Sequence, residues 1–365
     1  MGIKSIDKTL AAFSEFKTDV TVIGCTPYGN GHINDTFLVS AQKPDGSGKR
    51  YILQAINTNV FKKPDEVMHN IEKVTSFLKS RIADSRRVLS LVYTNDGAAY
   101  YTDSDGRCWR LYDFVEDSIC LDLPETPEDF YQSAVAFGQF QYLLNDFPVE
   151  ELYETIPHFH DTPDRYEKFI KAVEADVCGR AKNVADEIEF VKDRKDFCSV
   201  LLDAEKSGKL PLRVTHNDTK INNVMLDRET RTALCVIDLD SIMPGFSVTD
   251  FGDSIRFGAS TAAEDEKDLS KVWMDIELFE TYAKGFIKGC GGLLSKDEIE
   301  LMPEGAKMMT IECGMRFLTD YLEGDTYFKS KYPEHNLDRC RTQFKLVADM
   351  EEKWDEMKEI VKKYI

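Results

Sequence analysis

The sequence has no Cys-x-x-Cys pair, although it contains nine cysteines. Zinc sites and dithiol redox motifs usually place two cysteines at that spacing, so the sequence indicates neither kind of site. The cysteines are scattered along the chain, and several lie inside apolar segments. We therefore interpret them as buried thiols that contribute to packing.

Positive charge is also scarce, because the chain has 46 lysines and arginines against 65 aspartates and glutamates, a formal net charge of −19. Proteins that bind nucleic acids or anionic membrane surfaces normally carry a basic face. The balance therefore argues against both kinds of partner. It does not exclude an anionic small-molecule substrate, since a local pocket can be positive on an acidic protein.

Long apolar runs are missing as well. No stretch reaches eighteen apolar residues, and the N-terminal residues lack the apolar core of a signal peptide. We expect a cytoplasmic protein, and the sequence is compatible with a monomer. With 42% hydrophobic and 30% charged residues, the composition is that of a globular protein. A length of 365 residues exceeds one modest core and predicts two domains or lobes.

One polar stretch combines His216, Asp218 and Asn223 in the order H-x-D-x-x-x-x-N. This spacing is typical of a kinase catalytic loop. The Asp218 carboxylate would orient an acceptor hydroxyl and take its proton, and His216 would hold the loop by hydrogen bonds. The spacing alone also fits a solvated loop, because Asn-Asp-Thr runs are common in turns.

A predicted hairpin follows this loop, with strands at 224–227 and 233–237, and Asp238 comes directly at its end. Magnesium that bridges nucleotide phosphates takes hard oxygen ligands, often one or two of them from the protein. Asn223 and Asp238 supply such a pair. The order of strand, loop, hairpin and acid favours the kinase interpretation over an ordinary hairpin.

Residues 20–115 predict a small antiparallel sheet with one helix. That helix, 64–82, has Pro64 near its start and apolar residues that recur every three or four positions. Asn-Asp-Gly and Ser-Asp-Gly runs between apolar segments are strong hairpin signals. The predicted strands are 20–28, 36–40, 51–56, 87–94, 98–103 and 108–115.

Gly29, Asn30 and Gly31 form a glycine-rich turn between the first two strands, and His32 follows them. Missing side chains let backbone N–H groups approach nucleotide phosphates, although a plain hairpin turn fits the pattern equally well. His32 is either an ordinary surface or packed residue or a hydrogen-bonding arm that reaches a polar substrate.

The third strand of a kinase normally presents a lysine to the α- and β-phosphates, and here the matching residue is Gln54. An amide can hydrogen-bond a phosphate but brings no charge. The last strand would lead into a hinge whose backbone, near Tyr112 and Phe114, pairs with the adenine edge. The predicted nucleotide-binding residues are Gly29, Asn30, Gly31, Gln54, Tyr112 and Phe114.

After Pro124 the apolar pattern becomes helical, and the only boundary falls near 115–125. We therefore predict an α+β fold with a nucleotide-binding lobe at 1–115 and a helical lobe, which contains the catalytic loop, at 116–365. The predicted helices are 127–145, 162–176, 181–206, 264–288, 296–323 and 336–364.

Two further features have alternative interpretations. Arg316 and Asp320 lie four residues apart on a predicted helix, where such residues usually form an ion pair in solvent. Alternatively, Arg316 and Tyr327 line a polar substrate pocket. His158 and His160 are compatible with a metal pair or with histidine phosphorylation, but no further ligands accompany them, so we interpret them as structural.

The order of sheet lobe, hinge, helical lobe and catalytic loop resembles the protein-kinase-like fold of the aminoglycoside phosphotransferase and choline kinase group. Several stretches also closely resemble bacterial N-acetylhexosamine 1-kinases, and together they cover nearly the whole chain. These stretches include Tyr28-Gly-Asn-Gly-His-Ile-Asn34, Arg213-Val-Thr-His-Asn-Asp-Thr-Lys220, Ile237-Asp-Leu-Asp-Ser-Ile-Met-Pro-Gly245, Asp250-Phe-Gly-Asp-Ser-Ile-Arg-Phe-Gly-Ala-Ser260 and Glu312-Cys-Gly-Met-Arg-Phe-Leu318.

The resemblance implies a direct in-line transfer from ATP to the anomeric 1-hydroxyl of N-acetylglucosamine or N-acetylgalactosamine. Asp218 would be the base, and Asn223 and Asp238 would hold Mg²⁺. Because Gln54 brings no charge, we expect Lys220 to neutralise charge on the transferred phosphoryl group. The resemblance implies that the sugar contacts His32, Asp218, Phe257, Arg316 and Tyr327.

Two alternatives remain open from the sequence. The first keeps the fold and changes the acceptor to an aminoglycoside, choline or another small alcohol. Such cations favour acidic or aromatic pockets, so an inward-facing Arg316 argues against them. The second is a non-catalytic kinase fold that only binds ligands, for which Gln54 is the only favourable feature.

Overall fold

The N-terminal part of the chain forms an antiparallel sheet with two helices. The computed structural model describes residues 3–29 and 33–365, with side chains from Lys8 onward. The sheet has the order β1-β2-β3-β6-β4, and β5 also pairs with β6. Its elements are α1 (Ile3–Ser14), β1 (Thr21–Pro27), β2 (Asp35–Gln42), β3 (Gly48–Ile56), α2 (Pro64–Arg81), β4 (Leu91–Val92), β5 (Tyr101–Thr102) and β6 (Cys108–Asp113).

The two faces of the sheet have different neighbours because side chains alternate along a strand. Leu53 of β3 and Trp109 of β6 are buried in one apolar cluster together with Phe13 of α1. Gln54 lies one residue on, so its side chain points to the opposite face. That face also carries Arg110, which is directly opposite Gln54 in the register of β3 and β6.

The predicted strands at 87–94 and 98–103 are much shorter in the structure. β4 pairs only with residues 111–112 of β6, and β5 pairs only with residues 108–109. Both strands therefore share one edge of β6. After β4 the chain pairs with a different segment, because Thr94 forms an isolated bridge with Phe16. The predicted helix at 64–82 is confirmed as α2, which begins at Pro64 and buries Val67, Ile71, Val74 and Leu78.

The rest of the chain is mainly helical, so the α+β class, with a sheet region followed by a helical part, is confirmed. Its strands are β7 (Ser118–Cys120), β8 (Arg213–Thr215), β9 (Val224–Asp227), β10 (Ala233–Val236) and β11 (Met243–Gly245). Its helices are α3 (Pro127–Leu143), α4 (Thr162–Ala175), α5 (Ala185–Lys192), α6 (Val200–Lys206), α7 (Ser247–Gly258), α8 (Ile276–Gly289), α9 (Lys296–Glu300), α10 (Met302–Glu323), α11 (His335–Glu352) and α12 (Trp354–Lys362).

Three predicted helices are interrupted. The segment 181–206 contains α5 and α6 rather than one helix, because the two bury their apolar residues in different clusters. The segment 296–323 divides at Leu301 into α9 and α10, and 336–364 divides at Lys353 into α11 and α12. The Lys353 ammonium donates to the Met274 carbonyl at 2.7 Å, which ties this break to the residues before α8.

The prediction at 264–288 was partly wrong, and α7 was missed. α8 begins only at Ile276, where the Asp275 side chain caps its first turn by accepting from the Glu277 and Leu278 N–H groups. α7 is buried at eleven of its twelve residues, only Phe257 being partly exposed. The polar residues of α7, such as Asp250, Asp253 and Arg256, are buried like its apolar ones, so the helix has no solvent-exposed side of the kind that marks a surface helix.

The sheet region and the helical part share one core. The largest cluster contains Val67 and Ile71 of α2 together with Phe137 of α3 and Leu239, which follows β10. The lobe boundary at residue 115 stays a prediction, as does the cytoplasmic location. Among the helices of the described ranges, none has both the length and the apolar character needed to cross a membrane.

Helices α7 and α10 cross at two glycines, so their backbones are in close contact. A Cβ atom on Gly252 would lie 2.2 Å from the carbonyl oxygen of Gly305. We expect Gly252→Ala to lower the free energy of unfolding by about 2 kcal/mol or more, because overpacking outweighs the gain in helix propensity. Urea denaturation measures the loss.

Gly48→Ala is the matched control, because a Cβ atom on Gly48 meets no atom within 4 Å. It should leave the free energy of unfolding nearly unchanged. A Gly252→Ala protein as stable as the wild type would contradict the close crossing of α7 and α10.

Candidate active site

The loop between β8 and β9 is fixed through His216, whose side chain is fully buried. Its Nε2 atom lies 2.8 Å from the Ile237 carbonyl oxygen, and its Nδ1 atom accepts from the Asp218 N–H at 3.3 Å. The rings of Phe137 and Phe140 pack against the imidazole with centroids 5.3 and 6.2 Å away. His216 therefore holds the loop. It does not line the cleft, a name we use for the space between this loop and the sheet face that carries Gln54 and Arg110.

Asp250 of α7 is a second anchor of this loop. Its carboxylate accepts from the backbone N–H groups of His216 at 2.9 Å and Asn217 at 2.8 Å, and from the Gln141 amide at 2.8 Å. Burial raises the pKa of Asp250, although these donors and His216 oppose the shift. We assigned Asp250 no role from the sequence, because it lies 32 residues beyond Asp218 in a helix that was not predicted.

Asp218 faces the cleft with 31% of its side chain exposed. Its Oδ1 atom lies 2.6 Å from the Lys220 ammonium, and its Oδ2 atom accepts from the Asn223 amide at 3.1 Å. Burial alone would raise the pKa of Asp218, but Lys220 and the other nearby donors lower it below its usual value. The group is therefore a carboxylate at neutral pH.

Asp238 ends the hairpin in the left-handed region, with φ of 58°. Its exposed carboxylate has no hydrogen-bond partner among the described residues. Dense surroundings and the carboxylates of Asp240 and Asp218 raise the pKa of Asp238 to about 7. Asn223 uses its amide N–H on Asp218, which leaves its side-chain oxygen free. The structure thus offers two oxygen groups that lack protein donors beside Asp218.

Gln54 is the residue at the kinase lysine position, and both the oxygen and the NH₂ group of its side-chain amide already have hydrogen-bond partners. Its side-chain oxygen accepts from Arg110 Nε at 3.0 Å, and its NH₂ group donates to the Thr36 hydroxyl at 3.0 Å. Arg110 also forms an ion pair with Asp240, and neither side chain is more than 4% exposed. Sequence reasoning missed Arg110, although an arginine between Trp109 and Leu111 in a buried strand was a usable signal.

The structure describes only some of the other predicted nucleotide-binding residues. Gly29 has a positive φ of 77°, as expected for a glycine turn, whereas Asn30, Gly31 and His32 fall outside the described residues. The Tyr112 hydroxyl is buried without a partner. The Phe114 N–H already donates to the Arg50 carbonyl at 3.2 Å, so an adenine contact at Phe114 would have to use its carbonyl oxygen.

On the acceptor side, Arg316 is partly buried among three aromatic rings. The centres of Phe159, Tyr327 and Phe328 lie 5.7, 5.9 and 5.5 Å from its guanidinium carbon. Within residues 3–29 and 33–365 it has no ion pair or hydrogen bond, so the predicted solvent pair with Asp320 is wrong. Like-charged Arg165 is near enough that burial and Arg316 together lower the pKa of Arg165.

Asp320 instead holds the segment that carries Tyr327. Its carboxylate accepts from the N–H groups of Thr326, Tyr327 and Phe328 at 2.8, 2.7 and 2.9 Å. Tyr327 is thereby fixed at Arg316 while its side chain stays exposed. Phe257 lies partly exposed in the last turn of α7.

The two histidines at 158 and 160 each pair with a carboxylate. His158 Nδ1 lies 3.0 Å from Asp161, and His160 Nδ1 lies 3.0 Å from Glu312 of α10. Their partners differ, which fits the structural interpretation. In the described part of the chain, no three His, Cys, Asp or Glu side chains converge as a metal site.

An antiparallel sheet, a catalytic loop that carries Asp218 and Asn223, and a following hairpin that ends at Asp238 define the protein-kinase-like class of folds. Residues 24–273 match the family model described as the phosphotransferase enzyme family, APH, so the chain belongs to that family. The match covers the sheet, the catalytic loop and all of α7. It supports the group to which the sequence was compared above.

Solved structures show the same fold. An aminoglycoside phosphotransferase from Alicyclobacillus acidocaldarius aligns over 97% of this chain and 96% of its own, with a TM-score of 0.62 and 11% identity. The amicoumacin kinase hAmiN in complex with AMP-PNP, Ca²⁺ and Ami aligns over 97% and 94%, with a TM-score of 0.61 and 12% identity. A choline kinase from Cryptosporidium parvum aligns over 97% and 96%, with a TM-score of 0.55 and 13% identity. The predicted protein-kinase-like fold is confirmed.

Proposed function

We propose that this protein is an ATP- and magnesium-dependent kinase that phosphorylates the anomeric 1-hydroxyl of N-acetylglucosamine or N-acetylgalactosamine. The products are the sugar 1-phosphate and ADP, formed by direct in-line transfer. The observation that carries the proposal is Asp218, a cleft-facing carboxylate whose pKa Lys220 and other donors hold below its usual range. It is ionised, rigidly held and open to an acceptor.

Asp218 serves as the base in this proposal. Phosphoryl transfer needs little covalent help from the protein, so positioning and charge neutralisation dominate the catalysis. A carboxylate beside the acceptor hydroxyl orients it and accepts its proton as the oxygen attacks. The hydrogen bond from Asn223 and the anchored loop fix the direction of Asp218.

The residues present fit a bound magnesium ion. Asn223 and Asp238 offer an amide oxygen and a carboxylate that lack protein donors, and oxygen ligands are those that magnesium prefers. When bound, Mg²⁺ would neutralise charge on the β- and γ-phosphates. With two protein ligands, the remaining positions would go to phosphate oxygens and water, as is usual for nucleotide-bound magnesium.

ATP would lie beneath the cleft face of the sheet. Gly29, Asn30 and Gly31 would cover its phosphates, and the backbone near Tyr112 and Phe114 would meet the adenine. The complex of hAmiN with AMP-PNP supports the use of a nucleotide by this fold. The Gln54 amide would contribute at most a neutral contact, because Arg110 and Thr36 already occupy it.

The acceptor assignment rests on the resemblance to N-acetylhexosamine 1-kinases and on Arg316. A planar guanidinium that makes no hydrogen bond or ion pair among the described residues can donate to neutral hydroxyl and carbonyl oxygens, and aromatic walls suit the faces of a sugar ring. His32, Asp218, Phe257 and Tyr327 would complete this site. A cationic acceptor, such as an aminoglycoside or choline, would meet the like charge of Arg316, although the buried Glu312 carboxylate lies near enough for Arg316 to lower the pKa of Glu312.

A non-catalytic binding protein is the remaining alternative. The uncharged Gln54 at the kinase lysine position favours this alternative, but Arg110 places a positive charge directly beside Gln54. Asp218, Asn223 and Asp238 are all present, which favours catalysis.

The first prediction concerns the reaction. Wild-type protein with Mg-ATP should release ADP on adding either N-acetylhexosamine, and Asp218→Asn should lower kcat by about 10²- to 10⁴-fold because the base is lost. Coupled ADP detection measures both. Asp203→Asn, which neutralises a carboxylate of an exposed ion pair, is the control and should retain wild-type activity.

The same assay should include choline and an aminoglycoside as acceptors. ADP release with either of them, and none with the amino sugars, would sink the substrate assignment and leave the fold assignment standing. ATP binding without turnover on any acceptor would favour the non-catalytic alternative.

The second prediction concerns Lys220. Asp218 raises the pKa of Lys220, so the side chain stays an ammonium next to the reacting oxygen. We expect Lys220→Met to lower kcat about 10²- to 10³-fold, the usual cost of one preorganised electrostatic contact, with a small change in the KM for ATP. Lys220→Arg keeps the charge and should recover part of the rate. Nearly full kcat in Lys220→Met would refute this role.

The third prediction concerns Arg316. We expect Arg316→Met to raise the KM for the sugar about tenfold or more, because hydrogen bonds from a charged group contribute about 1.5–3 kcal/mol. The KM for ATP should stay within about twofold. Arg194→Met, which removes another arginine stacked on a ring, at 3.5 Å from Phe190, is the control. An unchanged sugar KM would remove Arg316 from the site.

A further inference from the structure

We propose that Arg110, through its buried ion pair with Asp240, positions the turn that carries Asp238 and so sets magnesium-dependent nucleotide binding. A kinase normally carries a positively charged lysine on β3, and in this protein Arg110 on β6 supplies the positive charge instead. Arg110 acts through Asp240 and does not touch the nucleotide. The inference rests on the proposed function because it assumes that Asp238 holds a metal.

Arg110 is fixed from two sides. It lies directly opposite Gln54 in the pairing of β3 and β6, and its Nε donates to the Gln54 side-chain oxygen at 3.0 Å. Its Nη1 donates to Asp240 Oδ1 in an ion pair that crosses from the sheet region to the helical part. With 1% of its side chain exposed, Arg110 is the largest charged group buried at this boundary.

The other oxygen of Asp240 is also occupied. Its Oδ2 accepts from the Asn34 amide at 2.6 Å, and the Asn34 side-chain oxygen accepts from the Asn57 N–H at 2.9 Å. Two segments of the sheet region, at Asn34 and Arg110, therefore bind one carboxylate directly, and Asn57 holds the Asn34 side chain in place. Asp240 is committed to the protein, whereas Asp238, two residues earlier, is open.

The turn 238–241 is tied to the catalytic loop on its other side. The Ser241 hydroxyl donates to the His216 carbonyl at 2.8 Å, and the Asn217 amide donates to the Ser241 carbonyl at 2.9 Å. Leu239 between the two acids is buried in the main core. Asp238 thus sits on a short turn anchored by Arg110 at one end and by the loop of Asp218 at the other.

Stability alone does not explain the pair. Removing two charges from water costs about as much as their attraction returns, so a buried ion pair contributes little net stability. Its value is geometric, because a bridged carboxylate cannot rotate. The position of Arg110 also explains Gln54, since a lysine there would place a second cation against a buried guanidinium.

The test compares ADP binding with and without Mg²⁺ by calorimetry, for wild type and for Arg110→Gln/Asp240→Asn. The double variant removes both charges together and so leaves neither of them unpaired. Asparagine keeps the shape of Asp240, and glutamine keeps an amide donor on a shorter side chain than that of Arg110. We expect the gain in ADP affinity due to Mg²⁺ to fall at least tenfold, while the Kd of metal-free ADP changes less than threefold. Arg194→Gln/Glu351→Gln removes a comparable pair in the helical part and should retain the full gain.

A double variant that keeps the wild-type magnesium gain would overturn the proposal and leave the pair a packing feature. Gln54→Lys and Gln54→Met provide a second comparison that does not depend on the double variant folding. Gln54→Lys should reduce the magnesium gain more than Gln54→Met does, because the new cation competes for Asp240. A larger increase in ADP affinity on adding Mg²⁺ in Gln54→Lys than in the wild type would also overturn the proposal.

Neither of these ADP-binding measurements needs an acceptor. The role proposed for Arg110 and the assignment of an N-acetylhexosamine as acceptor can therefore be contradicted separately. Magnesium-dependent ADP binding with no turnover on amino sugars would contradict the acceptor assignment alone. If Mg²⁺ did not change the affinity of the wild-type protein for ADP, the proposed metal site would be wrong, and so would the role of Arg110.

Discussion

Mutual repulsion among three carboxylates is the constraint on which this cleft depends. The dense protein surroundings of Asp238, together with the nearby carboxylates of Asp240 and Asp218, raise the pKa of Asp238. Each acid is compensated differently. Lys220 pairs with Asp218, and Arg110 pairs with Asp240. Among the described residues Asp238 has no hydrogen-bond or ion-pair partner, so the three identical side chains differ in their surroundings, in line with the separate roles proposed above for them.

The helical part fixes where these charges lie. Asp250 of α7 binds the backbone of the catalytic loop, and α7 itself packs against α10 with almost no side chain between them at Gly252 and Gly305. The same α10 carries Arg316 and, through Asp320, orients Tyr327. One pair of tightly packed helices therefore relates the catalytic loop to the proposed acceptor site.

The sequence was informative where local chemistry decides structure. The helix at Pro64 and the hairpin before Asp238 follow from periodicity and turn residues, and the structure confirms both. The sequence was uninformative where packing between distant segments decides the local structure. The polar residues of α7 are buried like its apolar ones, so no exposed side identifies the helix. At the break near Lys353, the ammonium binds a carbonyl that is distant in the sequence.

The candidate site divides in the same way. Spacing and resemblance led to Asp218, Asn223, Asp238 and Arg316, and the roles of these residues stay predictions. Arg110 could not be assigned from spacing, because its partner Asp240 lies 130 residues away. An arginine in an apolar strand signals a buried partner, but only the fold identifies that partner.

The central claim is that phosphate is transferred to the anomeric oxygen of an N-acetylhexosamine. Phosphorus and proton NMR of the product formed from Mg-ATP and N-acetylglucosamine tests this claim most directly. We predict a single phosphomonoester whose phosphorus couples to the anomeric proton of the sugar. Coupling to any other ring proton, or a phosphorylated product only with a cationic alcohol, would contradict the account.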